Sequence, residues 1–426
     1  MQIAPRTCAT ALQPTASYRW PQAVFGLLHV ALTAPMIYLA LGLPLLMRQH
    51  GWSGLSIGLF QLAGLPALCK VLLALPIERT RAEGHGLARY RRWAVLLGAG
   101  YGVALMLLAL LDMDADKALL FALLMACVLL STWIDVPVSA LSIGVLPPAE
   151  RVRAGGVRSA AMFVAAILGG GLMLVLAQRL GWAWPFVLMT ALLALALALL
   201  PTVKMPAAQD PGKQAHTEQM PAAPDRPASG GLPGFFRQPD VGRWLVLLTG
   251  YFPFVGVAWV YLKPMLLDQG FAATQVAWVV GMGGGTLGAA ASLAVAQLLR
   301  HERLSYCLPL SAWGNAAVLG LLALAMALRA PAPWLIAICM VLAVAVGVAS
   351  SLVFGLMMDY ARPAHRAVDY GVQASFYALG RLALMPIAGW LLDRSGNAGL
   401  LLALSVPALI VAALAWHWRP RPAQSS

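Results

Sequence analysis

The chain is 426 residues long, 61% hydrophobic and only 11% charged. A water-soluble fold of that length cannot bury so much apolar surface, so composition excludes one and points to a chain that crosses a membrane many times. The formal charge of +13 is scattered over short connections rather than gathered in one stripe, which excludes nucleic acid as a partner and makes the basic excess a topology signal.

The first twenty residues are polar and hold Arg6, Pro14 and Arg19. They lack a short apolar core with a cleavage site, so the first apolar run is expected to act as the insertion signal. Runs of spanning length recur twelve times, at 21–47, 55–77, 93–111, 118–146, 155–178, 184–203, 243–267, 275–298, 308–328, 334–359, 368–392 and 399–417. About 20 residues cross a bilayer as a helix, and backbone groups in lipid must be satisfied within the segment, so these runs are predicted helices. Of the basic residues outside the runs or at their edges, 20 fall in the two tails and the connections that alternate with them, against 5 on the other side. That bias predicts both termini in the cytoplasm.

The longest connection, Pro201 to about Pro239, is rich in Pro, Ala, Gln and Asp and reads as a disordered linker. The expected organisation is an all-α membrane protein: twelve transmembrane helices in two six-helix bundles, residues 1–203 and 243–426, joined by a cytoplasmic linker at 204–242. None of the five cysteines (Cys8, Cys69, Cys127, Cys307 and Cys339) forms a CxxC pair. Small apolar filler is the reading, with no metal, no cofactor and no disulfide expected.

Polar groups inside the predicted spans are the candidates for function. Span one offers His29, Thr33 and Tyr38, and span two offers Gln61 and Lys70. Lys70 has two readings: snorkelling to the near interface, or an ion pair with Asp135 at similar depth. Asp135 lies in Ser131-Thr132-Trp133-Ile134-Asp135-Val136-Pro137, in the interior of span four. A carboxylate at the bilayer centre costs about 2.5–3.5 kcal/mol on insertion scales, so Asp135 is expected to face a partner or a water-filled cavity, as a helix-pinning pair or as a proton site. Trp133 points to another face and is a substrate candidate or packing. Gly169-Gly170-Gly171 and Gly281-Met282-Gly283-Gly284-Gly285 lack the strand and the Lys-Ser/Thr of a phosphate loop and predict close helix packing between the two halves. In span seven, Tyr251 is a substrate candidate, while Pro253 and Gly256 predict a bend. Arg381 falls near the middle of span eleven, with Tyr377 one turn and Gln373 two turns before it on the same face. No carboxylate of the second half shares its depth, since Asp359 and Asp369 lie near the cytoplasmic end. An anionic ligand, or Asp135 reached across a cavity, is the expected partner of Arg381. Four basic residues lie inside spans, Lys70, Arg158, Lys263 and Arg381, and Asp135 is open to pairing with Lys70, Arg158 or Arg381.

Several stretches carry a family likeness. Gly64-Leu65-Pro66 followed by Lys70, Leu75-Pro76-Ile77-Glu78-Arg79, Arg91-Arg92-Trp93, and Asp135 through Val145-Leu146-Pro147-Pro148-Ala149-Glu150-Arg151 form one set. Gly389-Trp390-Leu391-Leu392-Asp393-Arg394 is another. With the six-plus-six layout they resemble the major facilitator superfamily, and within it the muropeptide-permease (AmpG) and siderophore-permease (RhtX/FptX) branch. The likeness departs at Glu78, where an aspartate is usual, and at Ser139, where muropeptide-type members tend to carry a second acid.

The resemblance implies a monomeric secondary transporter of the bacterial inner membrane, moving a small organic solute by alternating access, with protons as the coupling partner. The departure at Ser139 tilts the expected substrate to an iron chelate, a ferri-siderophore. The alternatives are a muropeptide or drug permease and, from another class, a receptor subunit that moves nothing. No enzyme motif is present. Arg381, Tyr377, Gln373, Tyr251, Tyr38, Gln61 and Trp133 are the expected substrate contacts, and Asp135 and Lys70 the expected proton-coupling pair.

Overall fold

A computed structural model describes residues 18–43, 46–47, 66, 69–79, 86–111, 117–205, 232–299 and 304–418. The first half of the chain gives α1 (Arg19–Ile37, continued by a π turn at Tyr38–Gly42), α2 (Lys70–Arg79), α3 (Ala88–Leu110), α4 (Lys117–Val145), α5 (Arg151–Ile167, then a π turn at Leu168–Leu172 and Met173–Leu180) and α6 (Ala183–Leu199). The second half gives α7 (Val241–Tyr251 and Pro253–Asp268), α8 (a π segment at Ala277–Gly284, then Gly285–Leu298), α9 (Leu304–Ala327) and α10 (Ala332–Asp359). A 53-residue helical stretch, Arg366–Trp418, follows; Gly396, at φ 67°, breaks it into α11 (366–395) and α12 (397–418).

Among the described residues, ten helices are long and apolar enough to cross a membrane, the 53-residue stretch being one of the ten. The second predicted run, 55–77, falls mostly outside the described residues, and only its end is seen, as α2. The expected bend in span seven is present: the helix is interrupted at Phe252 and restarts at Pro253, because proline supplies no amide to the preceding turn. The far end of the connection that follows the first half is helical. Leu232–Phe236 forms a helical turn with Phe235 fully buried, and Phe236 meets Phe376 of α11 at 6.5 Å. The apolar pair Phe235-Phe236 is what ties this part of the connection down.

Both glycine runs coincide with π segments at helix crossings. At Gly169 a Cβ would overlap the carbonyl oxygen of Ala34, so only glycine lets α5 approach α1 there; this crossing lies inside the first half, and it is Gly285, facing Ile167, that meets the other half as expected. The π turns of α1 and α5 touch each other at this crossing, and such turns are common where a helix is adapted to function.

Candidate functional site

Asp135 sits where α1, α2, α4, α5 and α11 converge. Pro137, two residues on, removes the amide that would bond the Trp133 carbonyl and loosens α4 beside the carboxylate. Lys70 of α2 donates from Nζ to Oδ2 at 2.8 Å. Arg158 of α5 donates from Nη2 to both carboxylate oxygens at 2.8 and 3.0 Å, and from Nη1 to Ser139 Oγ at 2.7 Å. Tyr370 of α11 donates to Oδ2 at 3.4 Å. His29 of α1 lies 3.8 Å from Oδ1 through Nδ1, beyond hydrogen-bond reach. The Arg158 guanidinium also lies over the rings of Phe354 and Tyr370, at 4.8 and 5.3 Å, which returns some of the stabilisation it loses on leaving water. Asp135 is 8% exposed and Arg158 7%.

Above this cluster lies a cavity of about 430 Å³ between the two halves of the chain. Asp135, Lys70, Arg158 and His29 form its floor, with Thr33, Tyr377 and Arg381 higher on the wall. Arg381 and Ala40 are exposed, so the cavity is reached from their side. Among the described residues Arg381 makes no hydrogen bond or ion pair. Tyr377 packs between Phe252 and Phe354, and its buried hydroxyl has no hydrogen-bond partner among the described residues. Among the described residues, the ionic side chains of the cavity are Lys70, Arg158 and Arg381 against Asp135: three cations and one carboxylate.

The opposite end, where α4 turns into α5, is shut by contacts between the halves. Arg151 pairs with Asp359 at 3.3 Å, and Arg153 Nε donates to the Ala296 carbonyl at 3.2 Å. Glu78 and His365 stand 3.9 Å apart. Ser159 of α5 meets Ser292 of α8 at 2.8 Å and also bonds Ser350 of α10. A Cβ on Gly155 would stand 2.4 Å from the Gly355 amide nitrogen and 2.5 Å from the Ser351 carbonyl oxygen. The backbones of α5 and α10 touch, which only glycine permits.

The structure brings together Asp135, Lys70, Tyr377 and Arg381 of the expected site, and Lys70 is paired rather than snorkelling. Arg381 does not reach Asp135, whose partners are Lys70 and Arg158. Four other expected substrate contacts lie outside the cavity wall. Gln373 is fully buried and spent on structure: it accepts from Trp244 Nε1 at 2.7 Å and donates to the carbonyls of Met357 and Asp369. Its two-turn spacing from Arg381 drifts by about 80° at 100° per residue, enough to turn it into the α7 and α10 contact. Tyr38 is buried against Phe186 in the first half. Tyr251 is buried beside Ser311 and Cys307 of α9. Trp133 packs against Trp93, with ring centroids 5.9 Å apart and the planes tilted by 31°, as its position on another face of α4 implied. Gln61 lies outside the described residues.

Tyr370 and Phe354 are the parts of the site that the sequence did not single out; Ser139 entered only as a departure from the family pattern, and Arg158 only as one of three alternative partners of Asp135. For Arg158 a signal existed: it lies seven residues into α5, and Asp135 ten residues before the end of α4, so both are about 10–15 Å from the shut end at 1.5 Å per residue. Tyr370 and Phe354 carry no such signal, because aromatic residues in apolar runs are ordinary packing.

A family model, the Major Facilitator Superfamily, matches residues 23–384. Solved structures of the same shape include the E. coli fucose:proton symporter FucP in its outward conformation, at 15% identity and TM-score 0.70, covering 95% of this chain and 99% of that one. The human organic anion transporter MFSD10 matches at 16% identity and TM-score 0.70, over 95% of this chain and 100% of its own. The proton:xylose symporter XylE matches at 13% identity and TM-score 0.71, over 96% and 97%. At such identities the likeness is one of fold. A bundle of apolar helices, a charged cavity between its halves and a family match over most of the length lead to one conclusion: this multi-pass membrane protein belongs to the major facilitator superfamily and is a transporter rather than an enzyme.

Proposed function

We propose that the protein imports a small organic anion across the bacterial inner membrane, coupled to protons, by rocking residues 1–203 against 243–426 about the central cavity. In this reading twelve helices span the bilayer, both termini are cytoplasmic, residues 204–242 connect the bundles, and the protein works as a monomer. The shut end is then cytoplasmic and the cavity is open to the outside. The observation that carries the reading is Arg381: a guanidinium exposed in the cavity, without an ion pair among the described residues, above a floor whose own charges already sum to a cation. Such a group is suited to a planar carboxylate. That FucP and XylE are proton symporters and MFSD10 an organic anion transporter supports the class without fixing the solute.

Within that class a ferri-siderophore bearing an aromatic carboxylate is our leading substrate. Tyr377 and Phe354 give the wall an aromatic lining beside Arg381. Ser139 supports it over a muropeptide. It accepts a hydrogen bond from Arg158 and adds no negative charge, whereas an acid there would consume one of the cavity's cations.

The test is uptake by the Arg381→Ala variant in a strain lacking the native transporter, with a panel of ferri-siderophores as sole iron source. Growth with the native protein and none with the variant, at equal membrane levels, is expected. Equal growth with both removes Arg381 from the site. Restored β-lactamase induction by cell-wall fragments would favour a muropeptide, and no counterflow of any solute in liposomes would favour a receptor.

A further inference from the structure

The carboxylate of Asp135 is poorly placed to be the group that carries the coupled proton. Both its oxygens take charge-assisted hydrogen bonds from Arg158, and Oδ2 takes another from Lys70 and one from Tyr370. To accept a proton on Oδ1 it would have to give up a bond from Arg158, and on Oδ2 bonds from both Arg158 and Lys70. One ionisable group in the cavity floor makes no hydrogen bond among the described residues, and that is His29. Its ring is 4% exposed, lines the cavity, and stands 3.8 Å from Asp135 Oδ1.

The groups facing the ring come from three helices: Asp135 of α4, Arg158 of α5 and Lys70 of α2. Tyr370 of α11 approaches the same carboxylate from the other side. Two cations against one carboxylate oppose a further positive charge on the imidazole while the cavity is empty. An anion resting on Lys70 and Arg381 lowers the cavity's excess from two positive charges to one, which weakens the repulsion, and the carboxylate oxygen beside the ring then becomes an ion-pair partner.

We propose that His29 is the proton carrier: it takes one proton from the open side when an organic anion enters, pairs with Asp135, and releases the proton once the anion has left on the other side. The anion and the proton cross together, so the pair is electroneutral for a monovalent solute. One N–H bond forms at the imidazole at the expense of one O–H bond of cavity hydronium, and the reverse occurs on release. Asp135 stays ionised throughout and acts as the positioning partner. This rests on the anion reading given above and adds the residue and the stoichiometry.

Calorimetric titration of the purified full-length protein with salicylate tests it, at pH 7 in two buffers of different ionisation enthalpy. Salicylate is already ionised at that pH, so any proton taken up goes to the protein. The wild type is expected to take up about one proton per salicylate and to bind it more weakly as pH rises. His29→Gln is expected to bind about tenfold more weakly, with no proton uptake and no dependence on pH. His29→Lys, with a fixed charge, should bind without proton uptake as well. Proton uptake that persists in His29→Gln, or salicylate binding by the wild type with none, overturns the assignment while leaving the anion reading intact. Should His29→Gln not fold, His29→Lys decides in its place: binding without proton uptake supports the assignment, and proton uptake by that variant overturns it. If neither salicylate nor benzoate binds the wild type, the anion reading itself fails, and this proposal with it.

Discussion

Two deep ionisable groups define the cavity, and they are in opposite states. Asp135 is buried and saturated by Lys70, Arg158 and Tyr370; Arg381 is exposed in the cavity and has no ion pair among the described residues. In a membrane an ionisable side chain persists if it is either compensated or solvated. Asp135 follows the first route and Arg381 the second. A compensated group holds helices together, and a solvated one is available to a ligand, so the same residue chemistry reports structure in one place and binding in the other.

Asp135→Ala tests the first half of that contrast and should have the largest effect on stability. It leaves Arg158 and Lys70 buried beside each other without their carboxylate, a loss of about 3–5 kcal/mol for a broken buried pair. Thermal unfolding of purified protein should show a clear drop, and the Lys70→Met/Asp135→Ala double variant should recover part of it. A single variant as stable as the wild type would mean that the cluster is hydrated rather than compensated.

Gly155→Val addresses the shut end. Its Cβ would overlap the Gly355 backbone, and forcing bulk into a close-packed contact costs about 1–3 kcal/mol. Since backbone cannot yield as a side chain does, the halves should separate at that end. Disulfide formation by an Arg151→Cys/Asp359→Cys pair should be fast on the parent and slow on the Gly155→Val background; equal rates would place the rocking contact elsewhere. Gln373→Ala comes next. It orphans the Trp244 indole and removes a side-chain donor from the Met357 carbonyl, at about 1–3 kcal/mol for buried groups left unsatisfied. Its half-saturation constant for transport should be unchanged, because the side chain does not reach the cavity. A changed constant with normal stability would return Gln373 to the binding surface.

These cases show what could be seen in the chain beforehand. Composition and run length give the helices, since lipid admits little else. Depth along a span, a one-dimensional quantity that sequence carries, makes Lys70 a candidate partner of Asp135 and finds no carboxylate of the second half beside Arg381, but it leaves open which pair forms. Rotation about the helix axis is what it carries poorly. Gln373, Tyr38, Tyr251 and Trp133 each sit on a helix that touches the cavity or its neighbours, but with the side chain turned toward another helix. In a helix surrounded by other helices nearly every face is apolar, so the hydrophobic pattern that would fix rotation in a soluble helix is flat here. Arg158 was within reach of the depth argument; Phe354 and Tyr370 were not, because only their partners distinguish them from packing.

The finest version of the contrast uses two tyrosines. Tyr38 and Tyr377 both carry buried hydroxyls without a hydrogen-bond partner among the described residues. Tyr38 is enclosed by the first half of the chain and faces Phe186, whereas Tyr377 lines the cavity one turn before Arg381. Removing a hydroxyl that has no partner sacrifices no hydrogen bond, so both Phe variants should unfold within about 0.5 kcal/mol of the wild type. Solute binding should separate them. If the Tyr377 hydroxyl donates to the solute held by Arg381, Tyr377→Phe loses a hydrogen bond of about 0.5–1.5 kcal/mol, a two- to tenfold rise in the half-saturation constant. Tyr38→Phe has no bond to the solute and should leave that constant unchanged. Equal constants for the two variants would show that an unpartnered hydroxyl on the cavity wall is no more available to the solute than one sealed in a helix bundle.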